Sequence, residues 1–325
     1  MTEISPFVGT PTDPLGETLN QLRLKRTYYC QSTLEGKWGL DIPAMTGGII
    51  FHMVTSGQCW MHIEGRKPVH LKSGSLVLLP HGQGHYLYRE DGAEIIPLMS
   101  LDFDAVTDRF EYLNYKVDQA VEDQEDGQVT QLFCGIIQVD HVAAERLTSQ
   151  LPNFLMMDGW DPVTDSWLHS TLSLITQEAK RIRLGSETIL TNLADIMVLQ
   201  VLRDWFENAP EAQQGWLAAM RDPHVGRALM LVHQNPGRPW TVDSLAREAG
   251  MSRSGFSAKF TELVGNTVKN YVTHWRMMVA KKRLSEGYVT IGQLSDELGY
   301  ASEAAFSRAF KRINGNPPGQ SRRLA

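Results

Sequence analysis

The spacing of apolar positions changes character twice along the chain. From Cys30 to about Leu101, short runs of β-branched, aromatic and other apolar residues are separated by Gly47-Gly48, Gly57, Gly65, Gly74 and Gly82, which predicts several short strands joined by tight turns. Such a series folds into a small β-barrel or sandwich. After Pro152 the period lengthens. Trp167, Leu168, Leu172 and Ile175 share one helical face, and Ile189, Leu190, Leu193, Met197 and Val201 share another. Gly185-Ser186 separates the two helices, with Ser186 placed as an N-cap and Glu187 in the first turn. In the last third a whole pattern is written twice: Leu245, Glu248, Gly250, Ser252, Phe256, Phe260 and Gly265 return as Leu294, Glu297, Gly299, Ser302, Phe306, Phe310 and Gly315. The offset is 49 residues up to the glycine and 50 beyond it, so the second copy gains one turn residue while its helices keep their register.

Each copy predicts a helix-turn-helix. Thr241 caps a helix through Ala249, Gly250 permits the tight turn, and Ser252 caps a second helix to about Val264. In the second copy Thr290 caps Ile291–Leu298, Gly299 turns the chain, and Ser302 caps the next helix. Phe256 with Phe260, and Phe306 with Phe310, bury one face of each second helix. Arg253, Ser254, Ser257 and Ala258 are left outward on one, and Glu303, Ala304, Ser307 and Arg308 on the other, where a recognition helix meets base edges in double-stranded DNA. Arg308 is the strongest base-reading candidate, because bidentate arginine to guanine is the commonest specific contact. Between the copies Asn270 to Ser285 reads as one helix, with Tyr271, Val272, Trp275, Met278 and Val279 forming a single apolar face. Packed on both units, it would hold two readers about one DNA turn, ~34 Å, apart. Lys281, Lys282, Arg283, Lys311, Arg312, Arg322 and Arg323 are assigned to phosphates.

Charge supports this division. The chain carries −6 overall, but residues 223–325 hold 15 Lys and Arg against 7 Asp and Glu, so the remainder is strongly acidic. A basic module on an acidic partner confines phosphate attraction to one part of the molecule. The expected class is α+β: a sensor domain over 1–150, a helical connector over 151–214 that pairs two copies of the chain, and an all-α DNA-binding domain over 215–325. Residues 1–14 read as a loose arm, 15–24 as a short helix, and acidic segment 104–128 as an exposed loop or an insertion before a strand near Leu132–Val139. Asn208 to Gln214 is the expected linker. No segment reaches the roughly 18 uninterrupted apolar residues of a membrane span. With no secretory pattern near Glu3, Pro6, Pro11 and Asp13, the expectation is a cytoplasmic protein without membrane contact.

Gly299-Tyr300, Ser302, Phe306, Arg308, Phe310-Lys311, Gly315, Pro317 and Arg322 resemble the C-terminal signature of AraC/XylS-type transcriptional regulators. Asn266-Thr267-Val268 depart from that pattern, which usually places a proline there. Gly74, Pro80, Gly82 and His85 resemble the second cupin motif, so the N-terminal barrel is expected to be cupin-like. Phe51-His52, Leu78 to Gly82, Cys134-Gly135, and Gly215-Trp216-Leu217 through Gly226-Arg227-Ala228-Leu229 resemble the cupin-sensor subgroup of the same regulators. The resemblance implies a homodimer, contact with RNA polymerase, and activation rather than repression; the expectation of no catalysis rests on the missing cupin metal ligands.

The control signal has three candidate receivers. Trp38, Phe51, Met53, Trp60, His85 and Tyr86, near Leu78, offer an apolar interior for a small-molecule effector, or serve only as core. Cys30 and Cys134 form a redox switch if the fold brings them together; otherwise they are inert thiols like Cys59. His52 and His85, completed by His81 or His62, would hold a metal, although the usual cupin His-x-His pair and Glu are missing; hydrogen-bonding histidines without any cofactor are the preferred reading. A metal-dependent cupin enzyme with a DNA-binding appendage is the alternative class.

Overall fold

The computed structural model describes residues 24–117, 129–139, 142–157, 170–178 except 172 and 176, and 183–321 except 288. The expected arm over 1–14 and helix over 15–24 fall outside these residues apart from Leu24, as does most of the first connector helix. The chain divides between Glu207 and Asn208 into two compact units, one built from Arg23–Asp140 with Glu145–Glu207, the other containing Asn208–Ala325.

The N-terminal unit is a sandwich of two sheets. One contains β1 (Leu24–Glu35), β3 (Gly48–Ser56), β6 (Leu76–Leu79), β9 (Asp104–Thr107), β10 (Phe110–Lys116), β11 (Val129–Val139) and β12 (Leu155–Met157), in the order β12-β6-β3-β11-β1-β10-β9. The other contains β2 (Gly39–Ile42), β4 (Gln58–His62), β5 (Val69–Lys72), β7 (His85–Tyr88) and β8 (Ile96–Pro97), in the order β5-β4-β7-β2-β8. The sheets share no hydrogen-bonded strand pair among the described residues, so the expected barrel is realised as two stacked layers. Leu34, Ile50, Val54, Val77, Leu79 and Leu132 of the larger sheet meet Leu40, Ile42, Cys59, Met61, Leu71 and Leu87 of the smaller one in a single core.

The larger sheet is covered on its other face as well. There Tyr29, Phe51 and Phe133 stand side by side, with ring centroids 5.7 Å apart for Tyr29 and Phe133 and 5.9 Å for Phe51 and Phe133. Tyr29 Oη donates to the carbonyl of Thr191, 3.5 Å away, on a helix of Ser186–Asn208. Because both faces of β3 are covered, seven of its residues in succession, Gly48 to Val54, are buried and the sequence shows no alternation there. Each large side chain so covered contributes about 1.5–3 kcal/mol.

Segment 104–128 was expected to be an exposed loop or an insertion, yet Asp104–Thr107 and Phe110–Lys116 are the strands β9 and β10, with β10 parallel to β1. Phe110 and Leu113 are the buried positions of β10, three residues apart and not two, so strand alternation was not visible beneath the acidic residues. Residues 118–128 lie outside the described residues.

Helix α1 (Val142–Thr148) lies between β11 and β12 and α2 (Ser186–Asn208) follows β12, and the described residues of the C-terminal unit form helices: α3 (Gly215–Arg221), α4 (Val225–Gln234), α5 (Val242–Glu248), α6 (Arg253–Val264), α7 (Val268–Ser285), α8 (Ile291–Glu297), α9 (Glu303–Asn314) and α10 (Pro318–Ser321). Thr241, Ser252, Thr267, Thr290 and Ser302 cap α5 to α9 with side-chain oxygens that accept backbone N–H groups. For α5 and α8 the cap is reciprocal, through Ser244 and Gln293.

The α7 helix departs from its expected single face. Val268, Tyr271, Val272 and Trp275 are buried, and so are Met277, Ala280 and Leu284, whereas Met278 and Val279 are only half-buried. At about 100° per residue the two sets lie on roughly opposite sides of the helix. The N-terminal set faces the first helix-turn-helix: the Phe260 and Tyr271 rings meet edge to face at 5.7 Å, and His233 of α4 stacks on Trp275 at 3.7 Å. The second set joins Leu294, Leu298, Phe306 and Phe310 in the core of the second.

Arg276, between the two sets, donates from Nε to the Pro236 carbonyl at 2.7 Å and from Nη2 to the Arg238 carbonyl at 2.9 Å, and lies over the Tyr300 ring. The same loop touches the second turn directly: Gly299 has φ +71°, and a Cβ there would run into the carbonyl oxygen of Gly237. Gly250, at φ +67° in the first turn, faces open space. Substituting alanine at Gly250 should therefore cost about 1 kcal/mol of backbone strain, and at Gly299 about 2 kcal/mol or more. Urea unfolding of both variants checks this, and equal losses would contradict a close approach specific to the second turn.

Candidate nucleic-acid interface and effector cavity

The two recognition helices start alike. Ser252 Oγ accepts the Gly255 N–H at 3.3 Å and Ser302 Oγ accepts the Ala305 N–H at 3.2 Å, so both present their first turn at a fixed angle. Phe256 and Phe260 turn inward from α6, and Phe306, Ala309 and Phe310 from α9. What remains outward is the expected set: Arg253, Ser254 and Ala258 are exposed and Ser257 half-buried on α6, while Glu303, Ala304 and Arg308 are exposed and Ser307 half-buried on α9. Arg253 Nε lies 3.4 Å from Asp243 Oδ1 in an exposed ion pair, which is worth little in water and opposes release toward another anion only weakly.

Among the basic residues, Lys281, Arg283, Lys311 and Arg312 are exposed and Lys282 is half-buried. Arg283 Nη1 pairs with Glu297 Oε2 at 3.3 Å, so its charge is already partly answered inside the second unit. Arg322 and Arg323 lie outside the described residues.

In the sandwich, a cavity of about 330 Å³ opens between the layers. Ile42, Met45, Ile50, Leu98, Met99 and Phe103 give it an apolar wall, and Cys30, Ser32, His52, Glu111 and Cys134 supply its polar atoms. The six residues expected to line an interior site do not lie there. Trp38 is fully buried in the core, and Phe51 and Met53 point to the other face of β3. Trp60 stacks on His70, Tyr86 lines a separate groove with His62 and Asp41, and His85 stands behind His52. Alternation on β3 explains the difference: Ile50, His52 and Val54 look toward the second sheet, and Phe51 and Met53 away from it. That alternation was hidden in a run that, apart from His52, is apolar on both faces.

Cys30 and Cys134, separated by more than a hundred positions, are direct partners across β1 and β11, and Cys134 is in turn opposite His52 on β3. His52 Nδ1 lies 3.0 Å from Cys134 Sγ and His52 Nε2 lies 2.7 Å from His85 Nε2. His85 Nδ1 is 3.0 Å from the Gln83 carbonyl. Neither remaining histidine joins them: His81 hydrogen-bonds the Leu151 carbonyl at 3.0 Å, and the ring of His62 packs near Tyr86. The alternative metal site on His52 and His85 is therefore not completed by either, and no group of three or more His, Cys, Asp and Glu able to hold a metal exists among the described residues. No helix among them is long and apolar enough to cross a membrane.

Burial sets the protonation of this cluster. It holds His52 well below the usual histidine value of 6.5, with His85 adding to the effect, and it lowers His85 against the opposing pull of the Gln83 carbonyl and Asp41. It also pushes the Cys30 thiol up to about 11, Cys59 to about 12, and Cys134 well above its ordinary range. Asp195 on α2 is raised to about 7 by burial alone.

Comparison with known proteins matches the two units to two families. Residues 13–207 match the Cupin model and residues 245–324 the Helix-turn-helix domain model. The chain is 33% identical over 314 residues to a putative AraC-like transcription regulator of Streptomyces lividans, covering 96% of this chain and 98% of that one. It is 31% identical, with the same coverage, to a putative AraC-like transcription regulator of Streptomyces antibioticus. It is 26% identical to the HTH-type transcriptional regulator AlkR of Acinetobacter baylyi, over 92% of this chain and 95% of that one.

The neutral histidine pair has a consequence for stability. Unfolding frees His52 and His85 to take protons near pH 6.5, which the folded unit refuses, so their contribution is fully present above that pH and is lost as pH falls toward their folded values. Asp195 acts in the opposite sense between about pH 4 and 7, so the measurement is a difference. The stability advantage of the wild type over His52→Gln should shrink from pH 8 to pH 5, by at most about 1.4 kcal/mol per proton per pH unit; a pH-independent difference would contradict the assignment.

Proposed function

The chain belongs to the AraC-like transcription regulators with a cupin domain ahead of the helix-turn-helix module, and on that premise we propose an activator that binds its operator through both units under control of the sandwich cavity. The carrying observation is the pair of capped recognition helices, α6 and α9, fixed to one shared helix with their small and charged residues outward. Base reading falls to Arg253, Ser254, Ser257, Ala258, Glu303, Ala304, Ser307 and Arg308, with Arg308 the principal reader. Lys281, Lys282, Lys311 and Arg312 serve phosphates, and Arg283 does so after leaving Glu297.

Activation and contact with RNA polymerase rest on the resemblance to AraC/XylS-type regulators. So does the assignment of a cytoplasmic role; a non-enzymatic one is favoured over a cupin enzyme because neither His81 nor His62 joins His52 and His85. An apolar or oxidising small molecule is the signal that suits the cavity wall. Homodimerisation is supported by α2, where Ile189 and Ile196 are exposed while Leu190, Ala194, Met197 and Val201 are buried beneath them.

Arg308→Ala should weaken operator binding by about 1–3 kcal/mol and relax one base position, whereas Lys282→Ala should weaken all sequences alike and flatten the dependence of affinity on salt. Binding titrations on operator and random duplexes separate the two, and an equal loss on both duplexes for Arg308→Ala would end the base-reading assignment. Ile196→Glu should sediment as a monomer under conditions where the wild type is a dimer; unchanged sedimentation of the two proteins would remove α2 from the interface.

A further inference from the structure

One row of chemically active side chains crosses four strands of the larger sheet. Glu111 on β10 stands opposite Cys30 on β1, Cys30 opposite Cys134 on β11, and Cys134 opposite His52 on β3. All four line the cavity. Residues directly opposite in a sheet share a face, so the row looks into one space.

The hydrogen bonds behind this row admit one assignment of protons when both imidazoles are neutral. The Gln83 carbonyl can only accept, so His85 carries its proton on Nδ1 and must accept at Nε2. His52 therefore donates from Nε2 across the 2.7 Å contact, which leaves its Nδ1 as an acceptor. Among the described residues, the donor facing that atom is the Cys134 thiol, 3.0 Å away. A thiol, two imidazoles and a carbonyl thus form a directed chain that can carry a proton from sulfur to His85.

We propose that Cys134 is an oxidisable thiol activated by His52 and relayed to His85, and that Cys30 is its resolving partner, so that a hydroperoxide entering the cavity converts the pair into a cross-strand disulfide. As Cys134 Sγ attacks the peroxide, the S–O bond forms, the O–O bond breaks, and the thiol proton passes to His52 Nδ1 while the Nε2 proton moves on to His85. The departing alkoxide recovers a proton and leaves as alcohol, or as water when hydrogen peroxide is the oxidant. Cys30 Sγ then attacks the sulfenic sulfur: the S–S bond forms, the S–O bond breaks, and hydroxide leaves as water with the proton that Cys30 gives up. Two thiols lose two electrons and one hydroperoxide gains them.

The geometry suits each step. Directly opposed antiparallel residues hold their Cα atoms about 4.5–5.5 Å apart, inside the ~4.4–6.8 Å range a disulfide spans. Burial keeps both thiols protonated at rest, so reaction depends on a base in contact with the sulfur, which Cys134 has in His52. Cys59 is fully buried on β4 and is not a cavity-lining residue, so it serves as an internal control. The positive charge that the relay delivers to His85 is favoured there by Asp41 and the Gln83 carbonyl. The regulatory meaning rests on the reading of the cavity as a sensor; the chemistry does not.

The full-length reduced protein is treated with hydrogen peroxide, and its peptides are mapped by mass spectrometry without reduction. A Cys30–Cys134 linkage with Cys59 still open to alkylation is expected; absence of that linkage, or oxidation of Cys59 to the same extent, overturns the proposal. Cys30→Ser should accumulate a dimedone-reactive sulfenic acid on Cys134, and labelling of Cys30 in the Cys134→Ser protein instead would reverse the roles and overturn it. His52→Gln, with its circular dichroism unchanged, should slow Cys134 oxidation at least tenfold, and His85→Phe should slow it while leaving the Cys134–His52 contact. Oxidation of both folded variants at the wild-type rate would overturn the relay. Operator binding is measured in parallel: a disulfide that forms with no change in binding upholds the chemistry and refutes the sensor reading alone.

Discussion

A single helix with two opposed apolar faces sets the geometry of the C-terminal unit. Tyr271 and Trp275 anchor the first half of α7 through a buried polar cluster, in which Trp216 Nε1 donates to Tyr271 Oη at 3.0 Å and His233 Nε2 lies 2.7 Å from the same oxygen. Met277, Ala280 and Leu284 then commit the opposite face to the second helix-turn-helix. Neither unit can turn against the other without breaking one of these cores or the Arg276 bonds to the Pro236 and Arg238 carbonyls. The constraint turns two small three-dimensional motifs into one reader of fixed span, which a flexible linker would not do.

The N-terminal unit uses covering layers in a comparable way. The larger sheet packs against the smaller one on one side and presents Tyr29, Phe51 and Phe133 on the other, where Tyr29 reaches the α2 backbone. A change in the row Cys30, Cys134 and His52 therefore acts on a sheet whose reverse face touches the helix carrying exposed Ile189 and Ile196. The oxidation proposed on one side of this layer and the dimer surface proposed on α2 beyond its other side are separated by one sheet thickness. A sensor with this layout needs no long pathway through the molecule.

Much of the helical unit was legible because its signals are local. Thr241, Ser252, Thr290 and Ser302 mark helix starts by a chemistry confined to three or four residues, and the αL glycines Gly250 and Gly299 mark the turns between. The doubled pattern then fixed both motifs at once. The α7 faces were less legible, since Met278 and Val279 continue the apparent stripe of Trp275 while the true second face starts at Met277. The sandwich was legible as strands and turns but not as a site. Which of Phe51 and His52 faces the cavity depends on pairing with Gly135 and Cys134, far along the chain, and nothing near β3 encodes that choice. Strands β9 and β10 were missed because the buried anchors of β10, Phe110 and Leu113, are three residues apart and β9 has no buried position.

Two helix-turn-helix motifs are held at one spacing by α7. Hydroxyl-radical footprinting of a DNA site selected by the purified protein measures that spacing on the DNA itself. Two protected patches on one side of the duplex, about one helical turn apart for each chain, are the predicted result; a single patch per chain, or even protection along random sequence, would contradict it.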